Sequence, residues 1–189
     1  MKNIILFGAP GAGKGTQAKK IVETHSLIHL STGDILRSEI ENNSKLGIAA
    51  QEYMKKGELV PDEVVIGMIE NKICANKKAK GFIFDGFPRT VEQAIELDKL
   101  LERIEKPIIN VIRILVDEQE LIKRLKNRAI EQNRPDDKNT EIIANRISVY
   151  LKKTMPVATY YEKQNKLVKI KGEGTVDEIF HRITEILNK

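Results

Sequence analysis

The chain has 189 residues, 32 basic against 27 acidic side chains and a net charge of +5, with 41% hydrophobic and 5% aromatic residues. That length makes one domain with a full core, and no apolar run approaches the roughly 20 residues that span a membrane. The lysines are scattered beside Glu and Asp and there is no Trp, so the basic charge describes a solvated surface rather than a nucleic-acid site.

The N-terminus enters a strand directly, without a secretory pattern, so a cytoplasmic location is expected. The single Cys74 excludes an internal disulfide and a four-cysteine zinc site, and its position beside Ile69 and Ile73 predicts a core thiol. His25, His29 and His181 lack the spacing of a metal pair and are expected at surface or edge positions.

Residues 4–7 form a short apolar run bounded by Gly, which reads as a buried parallel strand. Gly8-Ala9-Pro10-Gly11-Ala12-Gly13-Lys14-Gly15-Thr16 follows, and helical spacing resumes over residues 15–24. Strand, glycine loop and helix N-terminus make an anion cradle, because glycines let backbone N–H groups converge on a phosphate and the helix dipole adds positive charge there. Lys14 supplies the mobile full charge at the β- and γ-phosphates. The loop departs from the general phosphate-loop pattern at one place: Gly15 follows the lysine, and the hydroxyl comes one residue later, at Thr16.

A second strand is expected over residues 27–30, ending in Ser31-Thr32-Gly33-Asp34, whose Ser-x-x-Asp spacing is a capping box. Short helical patterns fill residues 35–56. Asp62 is expected to cap a helix reaching residue 76. Residues 81–85 read as a strand. Thr90 caps a helix to residue 104, with Gln93 as its reciprocal partner. A strand over 108–116 leads to a helix opened by Asp117 and Glu120, broken at residues 134–137. A long helix from Thr140, bent or split at Pro156, precedes the last strand, 167–170, and a final helix opened by Thr175 and Glu178. Alternating strands and helices predict an α/β fold: one domain, 1–189, with a five-stranded parallel sheet, helices on both faces and ligands at the strands' carboxyl ends. Residues 31–60 and 127–137 stand outside the alternation and are candidate flaps over the ligand.

Asp85 ends an apolar strand, the setting in which phosphate-loop proteins carry the carboxylate that organises Mg²⁺. The sequence prefers Lys, so its arginines mark places where a planar fork is wanted. Arg37, Arg89, Arg128, Arg134 and Arg146 all lie near the turns just described, as phosphoryl transfer between two anionic nucleotides requires. Arg103, Arg113, Arg124 and Arg182 have no such setting and are expected at the surface.

The glycine loop, Ser31-Thr32-Gly33-Asp34-Ile35-Leu36-Arg37, and Asp85-Gly86-Phe87-Pro88-Arg89 with Gln93 together resemble the adenylate kinase family, over essentially the whole chain. The resemblance implies a phosphotransferase interconverting ATP and AMP with two ADP, with Mg²⁺. In that family's terms Gly11, Ala12, Gly13, Lys14, Gly15, Thr16, Arg128 and Gly174 would meet ATP. Thr32, Arg37, Glu58, Leu59, Val60, Gly86, Phe87, Pro88, Arg89, Gln93, Arg134 and Arg146 would meet AMP. Lys14, Arg89, Arg128, Arg134 and Arg146 would act on the transferring group, and Asp85 and Thr16 would meet Mg²⁺ through water. The shifted hydroxyl at Thr16 is also that family's pattern. Residues 31–60 would be the AMP flap and 127–137 a short ATP lid, a form that cannot build the zinc site of some longer relatives. No nucleic-acid or membrane partner is expected, and a monomer is expected. The nearest rival is a UMP/CMP kinase, which typically has Ala at Thr32 and Asn at Gln93.

Overall fold

The computed structural model describes residues 3–132, 137 and 139–188. Five parallel strands, β1 (Asn3–Phe7), β2 (Ile28–Ser31), β3 (Phe82–Asp85), β4 (Ile108–Leu115) and β5 (Leu167–Lys171), form one sheet in the order β2-β3-β1-β4-β5. All residues of β1 and β3 are buried, so both faces of the sheet are covered, as an all-parallel sheet requires. Helices α1 (Lys14–His25) and α9 (Val176–Leu187) pack together. A second group joins α4 (Asp62–Ala75), α5 (Val91–Arg103) and α8 (Met155–Glu162). Asn3, 1% exposed, ties the amino edge of the sheet together: its Nδ2 donates to the Lys106 carbonyl and its Oδ1 accepts from the Phe82 N–H.

Between β2 and β3, α2 (Thr32–Glu41) and α3 (Lys45–Lys56) pack together as a helical excursion. Ser31 caps α2 by accepting the Asp34 N–H at 3.3 Å, but the Asp34 carboxylate turns to Arg37 instead of completing the box. Ser44 caps α3 in the same way, and Gly57 ends it. After β4, α6 (Glu118–Gln132) and α7 (Thr140–Val149) flank the tip. One π-helical turn, Tyr150–Thr154, then separates α7 from α8, with Pro156 in the first turn of α8, where a missing N–H costs least. Thr175 and Glu178 form the full reciprocal box at α9.

Four expectations need correction. Pro61 occupies the cap position of α4, so Asp62 is the first helical residue and its carboxylate is free to reach Thr90 and Gln93. Gln93 does not close its box on Thr90: its Oε1 accepts the Arg89 N–H, one residue earlier. Cys74 is exposed, because the buried stripe of α4 runs through Ile69 and Ile73 and the next residue turns outward. Arg113 and Arg124 are not simply surface: Arg113 lies against the Tyr150 hydroxyl, and Arg124 bonds Glu120 and the Gly172 carbonyl.

Behind the sheet, Asp98 of α5 is a 9% exposed carboxylate that accepts from Tyr160 Oη (2.9 Å), Tyr161 Oη (3.0 Å) and Gln164 Nε2 (3.3 Å). It ties α8 to α5, and burial followed by its own hydrogen bond pushes the Tyr160 hydroxyl up to about 12. Asp98→Ala leaves these buried donors without their acceptor and is expected to cost ~3 kcal/mol in urea unfolding. Asp98→Asn should cost less, because one oxygen remains.

Candidate active site

The carboxyl ends of β1, β2 and β3 open into a cleft of about 920 Å³. Its floor is the glycine loop. Gly13, with φ 89°, stands at the N-cap of α1 in the left-handed region that a side chain rarely adopts. No side chain caps α1 and no acidic residue lies in its first turn, so its leading N–H groups and dipole are directed at the cleft without competition. Lys14 folds back over the loop, its Nζ donating to the carbonyls of Gly8 (2.8 Å) and Ala9 (2.9 Å). Burial lowers its pKa to about 8 from 10.5; Asp85 pulls it back up, and Arg89, Arg128 and Arg146 lower it further.

Asp85 ends β3 within 3.4 Å of His29 Nε2, an edge-strand neighbour. The following turn, through the cis Phe87–Pro88 peptide, forms one wall. The Gly86 carbonyl accepts both Thr32 Oγ1 (2.8 Å) and Arg89 Nε (2.6 Å), which ties the root of α2 to this wall. Arg37, also in the lining, reaches Asp34 at 2.5 Å. Glu58, Leu59 and Val60, just after Gly57, line the cleft too, as does Gln93, which is only 2% exposed.

The remaining wall comes from α6 and α7. Arg128 Nε donates to Asp137 Oδ2 at 2.7 Å, and Arg146 Nη1 donates to the other carboxylate oxygen. Arg128 Nη2 is also 2.7 Å from Oδ2, but without the alignment of a hydrogen bond. Asp137 is itself 1% exposed, so its charge is held by two guanidinium groups. The structure thus brings Lys14, Arg89, Arg128 and Arg146 to one cleft with Asp85, Thr16, Thr32, Arg37 and Gln93.

Two expected residues are not in its lining. Ala12 is buried beneath the loop, its N–H donating to the Ala9 carbonyl, and Gly174 lies in the turn before α9. Arg134 lies outside the described residues. Arg124, Asp137, Tyr150 and Thr154 were not foreseen. The four-residue spacing of Arg124 and Arg128 on one helix face could have signalled the first. Nothing local signals the others.

A family model described as "Adenylate kinase" matches residues 6–166. A protein named adenylate kinase from Parabacteroides distasonis is 47% identical over 188 residues, covering 100% of this chain and 98% of that protein. Another from Caulobacter vibrioides is 48% identical over 185 residues, covering 98% and 96% respectively. One from Methanosarcina barkeri is 44% identical across 213 aligned positions, covering 99% of each.

The buried ammonium has a measurable signature. Lys14 loses its proton near pH 8 in the folded chain and near 10.5 in the unfolded one. Below both values burial of its charge opposes folding. Between them the unfolded chain binds more protons, so stability rises with pH. Wild type should therefore gain stability relative to Lys14→Met between pH 7.5 and 9.5, read as the difference in urea midpoints. A difference that stays constant would mean that the ammonium is not desolvated.

Proposed function

The chain belongs to the adenylate kinase family, a phosphotransferase for ATP + AMP ⇌ 2 ADP, and we propose how its residues divide that work. The observation that carries the proposal is the convergence of Lys14, Arg89, Arg128 and Arg146 on a cleft floored by an uncapped helix N-terminus. Gly11, Gly13, Lys14, Gly15 and Thr16 with Arg128 hold the ATP phosphates; Gly174 and Ala12 serve by shaping backbone. Thr32, Arg37, the 58–60 segment, Gly86 to Arg89 and Gln93 hold AMP. Arg146, with Arg134, spans the transferring group.

An AMP phosphate oxygen is already ionised at neutral pH, so the nucleophile needs no general base. The work left to the protein is in-line alignment, neutralisation of charge and exclusion of water. Lys14 exchanges its two loop carbonyls for phosphate oxygens. Arg128 and Arg146 share their hydrogen bonds between Asp137 and the phosphates. Residues 31–60 and 127–137 close over the reactants so that water does not take the phosphoryl group.

Asp85 and Thr16 are hard oxygen donors beside the loop, which suits Mg²⁺ carried by nucleotide phosphates and water. A Cβ at Gly15 would sit 3.3 Å from Asp85 Oδ2, so glycine keeps this side of the carboxylate open for such a shell. The ion, when bound, would neutralise phosphate charge. The proposal also makes the chain a cytoplasmic monomer. Its large exposed apolar side chains, such as Ile48, Ile130 and Leu151, are spread over α3, α6 and the π-helical turn, which supports that state.

The test is a panel of ATP against AMP, dAMP, GMP, CMP and UMP, reading ADP formation with and without Mg²⁺. AMP should be preferred and turnover should need the metal. Lys14→Met should fold by circular dichroism yet retain under a hundredth of wild-type kcat. A folded variant that keeps more than a tenth would overturn the role given to the loop.

A further inference from the structure

The AMP side of the cleft is backed by a carboxylate that the reaction itself does not use. Asp62 places Oδ1 2.7 Å from Gln93 Nε2 and Oδ2 2.6 Å from Thr90 Oγ1. On the other side, Gln93 Oε1 accepts the backbone N–H of Arg89 at 2.7 Å. The two orientations of a glutamine amide have nearly the same shape, so packing does not choose between them. These neighbours do choose. A carboxylate only accepts and a backbone N–H only donates, and both demand the same orientation. Inverting the amide would set oxygen against carboxylate and NH₂ against N–H in a side chain that is almost fully buried.

We propose that Asp62 is a positioning residue for base selection: by fixing the order of donor and acceptor on Gln93, it admits a 6-amino purine and rejects a 6-oxo purine. The proposal rests on Gln93 reading the base, as assigned above. An amide has two N–H groups and two oxygen lone pairs, so Asp62 and Arg89 leave one of each on a side chain that lines the cleft. Adenine donates from its 6-amino group and accepts at N1. Hypoxanthine reverses both, accepting at its 6-oxo group and donating from N1. An amide held in one order pairs with the first and opposes the second; an amide free to invert pairs with either.

A purely structural task is also available to Asp62, since an acidic residue in the first turn of α4 stabilises the helix dipole. That task alone would lower stability when lost and affect both nucleotides alike. The two are separated by measuring kcat/KM for AMP and for IMP, with ATP as donor, alongside melting temperatures. Asp62→Leu removes the acceptor for Nε2 and should lower the AMP:IMP ratio about tenfold. Asp62→Asn keeps an oxygen for Nε2 and should bring the ratio back to within about threefold of wild type. If Asp62→Leu leaves the ratio unchanged while Gln93→Leu shifts it, the role of Asp62 is overturned and base reading by Gln93 survives. If Gln93→Leu also leaves it unchanged, base reading itself falls. Should Asp62→Leu not fold, the wild type still decides. The Gln93 amide proton held by Asp62 should be protected from solvent exchange without nucleotide, and exchange as fast as that of an exposed glutamine would overturn the lock.

Discussion

Cations gather in one cleft before any phosphate arrives, and much of the architecture follows from how they are held. Lys14 rests on two loop carbonyls, Arg89 on the Gly86 carbonyl, and Arg128 and Arg146 on the buried Asp137. For Lys14 those partners are neutral carbonyls, so its charge is positioned without being neutralised by them. The lowered pKa of Lys14 records that shortage: burial dominates, Asp85 only partly offsets it, and three arginines add to it. Such a site favours anionic ligands because they relieve a cost already present in the free protein. It favours most the arrangement with the greatest charge between both nucleotides.

The 31–60 excursion is joined to this charged centre by a few specific bonds. The Thr32 hydroxyl ties the root of α2 to Gly86, so one end of the 31–60 excursion is joined to the wall that carries Arg89. The other end meets α7: Asn145 Nδ2 donates to the Lys56 carbonyl at 2.6 Å, one residue from Arg146 and just ahead of the 58–60 segment. In the proposed mechanism, a shift of the AMP flap is thereby felt by an arginine of the transfer site through a hydrogen bond, with no contact to ATP required.

The sequence made the local parts of this legible. The glycine loop, the Ser31, Thr90 and Thr175 caps and the strand ending at Asp85 are all encoded within a few residues, where backbone chemistry leaves little choice. The resemblance of three ordered motifs carried the family. What stayed hidden depends on residues brought together from afar. The order β2-β3-β1-β4-β5 is a packing outcome that strand patterns do not specify. Asp62 looked like a cap because its spacing suits one. Only the fold shows that Pro61 takes that position and that Thr90 and Gln93, 28 and 31 residues away, are its partners. Asp137 looked like part of a helix break, and its burial between two arginines is a property of α6 and α7 closing on it.

The α7 helix is held to the sheet at its carboxyl end, where it passes into the π-helical turn. Tyr150 follows Arg146 by one regular α-turn, its N–H donating to the Arg146 carbonyl, and the wider turn begins after it, where the Met155 N–H donates to the Tyr150 carbonyl; Arg146, Tyr150 and Thr154 all line the cleft. Tyr150 packs its ring 5.9 Å from that of Phe7, the last residue of β1 before the glycine loop. Burial pushes its hydroxyl pKa up while Arg113 from β4 pulls the other way, so the phenol stays neutral and fixed between two strands. The helix that carries Arg146 is therefore braced against the strand that carries the phosphate loop.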